Sequence, residues 1–354
     1  MVAFNHTSAG PAVFLLMGIP GLEQAHGWLA IPLCALYIVA VLGNSIILLI
    51  IRSEPSLQQP MYYFLSMLAL TDLGLSASTL PTMLSIFLFN SQEVSVDACF
   101  AQLFSIHTFS IMESAVLLVM AFDRFVAIHM PLRYASILTN ATVARIGLAL
   151  AVRSVLVMMP IPFLLRRLWF CLPNILSHSF CLHPDVMQLA CSDRRINSAY
   201  GLFVVISTMG LDALLIVLSY VMIMMTVFSI ASKEERLKAL STCVSHICAV
   251  LLFYIPMIGI SMIHRFEERA SPLVSIFMAD IYVLAPPVMN PIVYSVKTQQ
   301  IRRRIVQRFQ KKKIPDKGRL RGLVLTGPAS ELSRNVPLPS SPSSWLTSMC
   351  WPPR

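Results

Sequence analysis

Residues 121–134 read AFDRFVAIHMPLRY and follow a long apolar run. An Asp–Arg pair, Asp123 and Arg124, stands where that run should leave a membrane. Ionisable groups within or beside an apolar segment are costly and point to function. Read alone, Arg124 is one more basic residue at a cytoplasmic edge. Its neighbour favours a different reading, because the Asp123 carboxylate can hold the arginine in a resting state. Releasing the arginine would then be a switch between two conformations.

The rest of the chain supplies that membrane. Of its 354 residues, 56% are hydrophobic and only 12% are charged. Soluble domains carry about 45–50% apolar and about 25% charged residues. The composition is that of a polytopic membrane protein. A spanning helix needs about 20 mostly apolar residues. Seven such runs lie near 28–51, 61–87, 99–128, 141–165, 198–230, 238–263 and 272–296. The expected fold class is an all-α membrane protein, a seven-transmembrane helix bundle followed by a short amphipathic eighth helix.

Charge sets the expected orientation. No Lys or Arg precedes Arg52, whereas Lys233, Arg236, Lys238 and the stretch Arg302 to Arg321 are basic. The positive-inside rule then puts the N-terminus outside and the C-terminus in the cytoplasm. Arg166, Arg167, Arg194 and Arg195 run against the rule, but they lie in a fairly long outer loop. The net charge of +10 gathers after the last span, which suits membrane lipids better than nucleic acid. The N-terminus has no basic n-region and no clear cleavage site, so no cleavable signal peptide is expected and the first span serves as a signal-anchor. The resulting division is an extracellular N-terminus at 1–27, the bundle at 28–296, an amphipathic juxtamembrane helix at 297–313 and a disordered cytoplasmic tail at 314–354. Ile301, Ile305 and Phe309 give the juxtamembrane helix its apolar face, and "PLPSSPSS" typifies the tail.

Cys99, Cys171, Cys181 and Cys191 fall on the expected outer, oxidising side. Four cysteines allow three pairings, and spacing does not choose among them. Asn5-His6-Thr7 is a glycosylation sequon on the same side. Asn140-Ala141-Thr142 has the same form on the cytoplasmic side and is discounted.

Asp72 in the second span and Glu113 in the third form the next cluster of interest. Together they would hold a cation such as sodium among oxygen ligands. The competing reading is a pair of carboxyls hydrogen-bonded to Ser or Asn neighbours, one of them protonated. On the sixth span Tyr254, Ser261 and Arg265 are spaced by seven and four, and on the third His107 and Ser114 by seven. Each set shares a helical face. Together they describe a pocket with aliphatic walls, hydroxyls, an imidazole and a guanidinium near its mouth. Arginine suits bidentate capture of a carboxylate. Against this, Arg265 also fits as a snorkelling residue or a partner of Glu267 or Glu268, and His107 as a packing residue. Asp280 in the pocket would neutralise Arg265 or favour an amine. Arg153 and Asp212, also within spans, read as structural.

The chain resembles the olfactory receptors. MAFDRFVAIHMPLRY at 120–134 is similar to that family's MAYDRYVAICxPLRY signature. Gly43-Asn44, "PMYYFLSMLALTD" at 60–72, "KALSTCVSH" at 238–246 and "PPVMNPIVYS" at 286–295 agree in order. The likeness covers roughly residues 18–312. "FYIPMIGISMIHRF" at 253–266 and the three-cysteine second outer loop look like the class I, fish-like branch. The resemblance implies a rhodopsin-like receptor at the plasma membrane. It implies a small odorant ligand, with acids and similar polar molecules favoured in class I, and a heterotrimeric G protein of the stimulatory olfactory type as partner. By position, Asp123, Arg124, Asn290, Pro291 and Tyr294 would form the G-protein switch. Tyr254 occupies the place where many rhodopsin-like receptors have Trp. Cys99–Cys181 and Cys171–Cys191 would be the two outer disulfides. Phe122, Phe125, His129 and Met130 depart from the general signature, and the tail beyond about residue 314 is long for the family. A metabolite receptor outside the nose fits the same residues. An ion channel or transporter would need a continuous polar face, and only isolated charges are present. No nucleophile–base pair, phosphate loop or metal-spacing motif argues for an enzyme.

Overall fold

The computed structural model describes residues 11–265, 272–297 and 301–304. Asn5, the 314–354 tail, Ile305 and Phe309 lie outside the described residues. Within the expected juxtamembrane helix, residues 301–304 are helical and Ile301 is fully buried.

Among the described residues seven long helices follow one another: α1 (His26–Ser53), α2 (Pro60–Phe89), α3 (Val96–His129), α4 (Asn140–Arg166), α5 (Arg195–Ser229), α6 (Lys233–Arg265) and α7 (Pro272–Lys297). They match the expected spans to within a few residues. All but α3 are long and apolar enough to cross a membrane by length and composition. Exposed Leu148, Leu156 and Phe163 on α4, and Leu214, Val217 and Phe228 on α5, present apolar surface outward. A helix apolar on its outer face suits lipid. α3 instead runs through the middle, with 18 of its 34 residues buried.

Local chemistry sets the helix ends. Ser95 caps α3 by accepting from the Ala98 N–H at 3.3 Å, and Asp97 sits in the positive first turn. Thr139 caps α4 in the same way, accepting from Thr142 at 3.2 Å. α2 begins on Pro60 and ends at Asn90, whose φ of 52° is left-handed. Inside α5, Ile206–Gly210 form a π-helical turn. Such a turn inserts an extra residue and shifts the phase of the helix beyond it.

Near the residues joined by disulfides, three short strands form a sheet that hydropathy did not reveal. β1 (Val13–Leu16) lies between β2 (Glu93–Ser95), antiparallel, and β3 (Ile175–Leu176), parallel. Phe14 of β1 is fully buried and meets Phe170 edge-on at 5.4 Å. Cys99 is bonded to Cys181, and Cys171 to Cys191. This is the disulfide end of the bundle; Arg124 marks the other end.

Candidate functional site

A cavity of about 350 Å³ opens toward the disulfide end. α3 contributes His107 and Ile111; α5 contributes Ser198, Gly201 and Thr208; α6 contributes Met257, Ile260 and Ser261; Tyr282 comes from α7. A short helix, His183–Gln188, roofs it with His183 and Met187. The lining is mostly apolar, with a few polar side chains contributed by α3, α5, α6, α7 and the roof.

Those polar atoms are unevenly satisfied. The Nε2 atoms of His107 and His183 are buried without a hydrogen-bond partner among the described residues. Burial, with the neighbouring His107 imidazole, lowers the His183 pKa to about 3. His183 is therefore neutral and offers one donor and one acceptor nitrogen. The Ser261 hydroxyl donates to the Met257 carbonyl at 2.9 Å, leaving its oxygen free to accept. Gly201 makes room for the roof, since a Cβ there would stand 2.9 Å from His183 Cε1.

The structure brings together only some of the residues expected in the pocket. His107 and Ser261 line it. Ser114 and Tyr254 do not line it; they pair with each other, hydroxyl to hydroxyl, at 2.8 Å. Asp280 also lies outside the lining, contrary to its expected place in the pocket. Its Oδ1 is buried without a partner among the described residues. Arg265 is the last residue of α6, and its side chain lies outside the described residues. His183 was missed because it opens a six-residue helix within an outer loop, too short for a helical period to mark an inward face.

A polar network links Ser114 and Tyr254 to other helices. Ser114 donates to Asp212 Oδ2 at 3.1 Å, and Asp212 pairs with Arg153 Nη1 at 3.0 Å. Tyr254 Oη lies 3.3 Å from the Met209 carbonyl, within the π-helical turn. Arg153 and Asp212 are thus joined by hydrogen bonds to two residues expected in the site.

Nearer the Arg124 end, the Asn290 amide donates to both Asp72 oxygens at 3.2 Å and to Glu113 Oε1 at 3.3 Å. Glu113 Oε2 has no partner among the described residues. Two buried carboxyls around one amide suit either a shared proton or one small cation. The Asn44 amide donates to the Ala40 and Pro287 carbonyls, both at 2.9 Å, and so ties α1 to α7. Gly43 permits that approach, because a Cβ would stand 2.9 Å from the Pro291 ring.

At the Arg124 end, Asp123 accepts from the Tyr134 hydroxyl at 2.7 Å, and Arg124 Nη2 lies 2.7 Å from Met61 Sδ on α2. No Asp123–Arg124 ion pair occurs among the described residues, and the two charges lie within electrostatic reach of one another. Burial, then the Asp123 carboxylate, pushes the Tyr134 phenol up and keeps it a donor. Arg124 lies within electrostatic reach of Tyr220, Cys243, His246 and Tyr294, on α5, α6 and α7. Tyr220 Oη and His246 Nδ1 are 2.7 Å apart. Tyr294 is buried, its hydroxyl unpartnered among the described residues.

Known proteins carry the same pattern. The olfactory receptor family model matches residues 33–312. Human olfactory receptor 51G2 is 61% identical over 305 residues, 86% of this chain and 97% of that one. Human olfactory receptor 51A4 is 58% identical over 314 residues, 89% of this chain and all of that one. The crystal structure of squid rhodopsin superposes with a TM-score of 0.66 at 19% identity, covering 92% of this chain and 93% of that one. That likeness shows the fold, a rhodopsin-like seven-helix bundle. The chain is a multi-pass membrane receptor rather than an enzyme, and it belongs to the olfactory receptor family.

Proposed function

We propose that this receptor binds small carboxylic acids, or similar polar odorants with an alkyl chain, and activates a heterotrimeric G protein of the stimulatory olfactory type. The observation that carries the ligand class is the cavity's mixed lining, a few polar side chains set in an apolar wall. His107, His183 and Ser261 gather polar atoms among Met and Ile walls. Such a site seats a short apolar chain with a hydrogen-bonding head. Arg265, one turn beyond Ser261 on α6, adds the charge that a carboxylate requires.

In this reading the disulfide end faces outward at the plasma membrane, with Asn5 glycosylated there and the C-terminus in the cytoplasm. The Arg124 end faces the G protein. The ligand favours a state in which α6 moves away from α3, and it must bind that state more tightly than the resting one. Tyr134 on Asp123 and Met61 beside Arg124 are the contacts of the resting state. Asp72 and Glu113, bridged by Asn290, hold a sodium ion or a proton at the bundle's centre.

The test is cAMP accumulation in cells expressing the chain, over short- and medium-chain acids, alcohols and amines. Wild type is compared with Arg265→Ala at matched surface level. An acid response that falls at least tenfold in potency in the variant is the expected result. An unchanged acid response removes Arg265 from the site, and a response to amines alone overturns the ligand class.

A further inference from the structure

We propose that His178 and Asp185 are positioning residues of the ligand cavity, bracing the short helix His183–Gln188 against α7 and so setting where the His183 imidazole stands. The proposal rests on the reading of this cavity as the odorant site.

The roof is fastened on two sides in different ways. Toward α2 and α3 it is held by a covalent bond and a chain of hydrogen bonds. Cys181 is bonded to Cys99, and its N–H donates to Gln102 Oε1 at 2.9 Å. The Gln102 amide donates in turn to the Ser78 carbonyl at 2.9 Å and to Thr82 at 2.7 Å. Toward α7 the described fastening is the His178 side chain. His178 is buried; its Nδ1 meets the Asp185 carboxylate, and its Nε2 lies 3.3 Å from Ser275 Oγ on α7. The α7 carboxylate Asp280 lies within electrostatic reach of the same imidazole.

His178 and Asp185 stand three residues before and four after Cys181, so their pairing folds the segment back across the disulfide. Asp185 lies in the first turn of the short helix, two residues beyond His183. A helical residue cannot shift without carrying its neighbours, so the Asp185 carboxylate fixes the rotation of the turn that bears His183. That control matters because His183 Nε2 has no described partner of its own to set its ring. Gly201 leaves the ring room but contributes no hydrogen bond. The roof is therefore hinged at Cys181 and held closed at His178.

The experiment is a double-mutant cycle on surface-matched receptor, with hexanoic acid as the probe. His178→Ala is expected to raise the half-maximal concentration about tenfold, with the effect on potency rather than on maximal response. In a His183→Ala background, His178→Ala is expected to add less than a twofold shift, since a brace has nothing left to position. Shifts that multiply in the double variant overturn the proposal, because independent sites are additive in free energy. Hydrogen exchange on ligand-free purified receptor provides a measure that does not depend on the ligand. Asp185→Asn, a milder change, is expected to speed exchange across residues 183–188 while residues 99–103 stay protected. Unchanged exchange at 183–188 overturns the brace. A wild type silent to hexanoic acid defeats the ligand reading alone, and the exchange result then decides the positioning claim.

Discussion

At the disulfide end, two covalent bonds, a three-stranded sheet and the Phe14–Phe170 contact hold the loops. At the Arg124 end, the described polar contacts between helices are single hydrogen bonds. Arg124 touches a thioether, Tyr220 meets His246, and Asp123 relies on one phenol. Interactions of this kind contribute about 1 kcal/mol each and exchange readily. The contrast separates the labour of the two ends. A cavity that must discriminate between small molecules needs walls that hold still. An end that must change partners needs contacts that are cheap to lose.

The largest expected effect tests the fixed end. Cys99–Cys181 closes a separation of 82 residues, worth about 4.5 kcal/mol of loop entropy. Cys171–Cys191 closes only 20, worth about 3 kcal/mol. Cys99→Ser should abolish surface delivery and lower the thermal midpoint of any receptor recovered. Cys171→Ser should do less on both measures. The reverse order would place the rigid part in the loop rather than at its junction with α3.

A smaller effect concerns the roof. With a folded pKa of about 3, His183 stays unprotonated where the unfolded chain, near 6.5, takes up a proton. Stability is therefore full above about pH 6.5 and falls as the pH drops toward about 3. Between pH 7 and pH 5 the loss is about 2 kcal/mol. Thermal unfolding at the two pH values should show a wider gap in wild type than in His183→Asn. Equal gaps would mean that the imidazole finds water or a counter-charge in the roof.

The smallest effect belongs to the changeable end. Tyr134→Phe removes the donor on a buried carboxylate, a loss of about 1 kcal/mol. If the bond favours the resting state, nucleotide exchange without ligand should rise roughly fivefold. No rise would mean that the bond persists through activation, and the contrast between the ends would need another basis.

Six of the seven helices were legible because each supplies a run long and apolar enough to cross a membrane, and nothing else in such a chain competes with that signal; α3 carries more polar residues and fits the same pattern less cleanly. The sheet was not legible. Its strands are two to four residues long, and Leu15 meets partners at Glu93 and Ile175 that no local pattern connects to it. In the site, His107 and Ser261 were legible by helical period. Asp280 was not, because a sequence gives depth along a helix more readily than direction around it, and α7 carries prolines at 286, 287 and 291. The donor to Asp123 was not legible for a related reason: it lies eleven residues on, at Tyr134, beyond the end of the helix. Arg153 and Asp212 lie 59 residues apart on different helices, so only the folded bundle reveals the pair.

The sheet also imposes an order on biosynthesis. β1 is its central strand, yet it is the first of the three to be translated. Its antiparallel neighbour follows some eighty residues later, and its parallel neighbour some eighty after that. One edge of the earliest described segment must therefore wait, unpaired, until the ribosome has passed Leu176. A receptor stalled before that point leaves that edge of β1 open, the kind of surface that quality control retains.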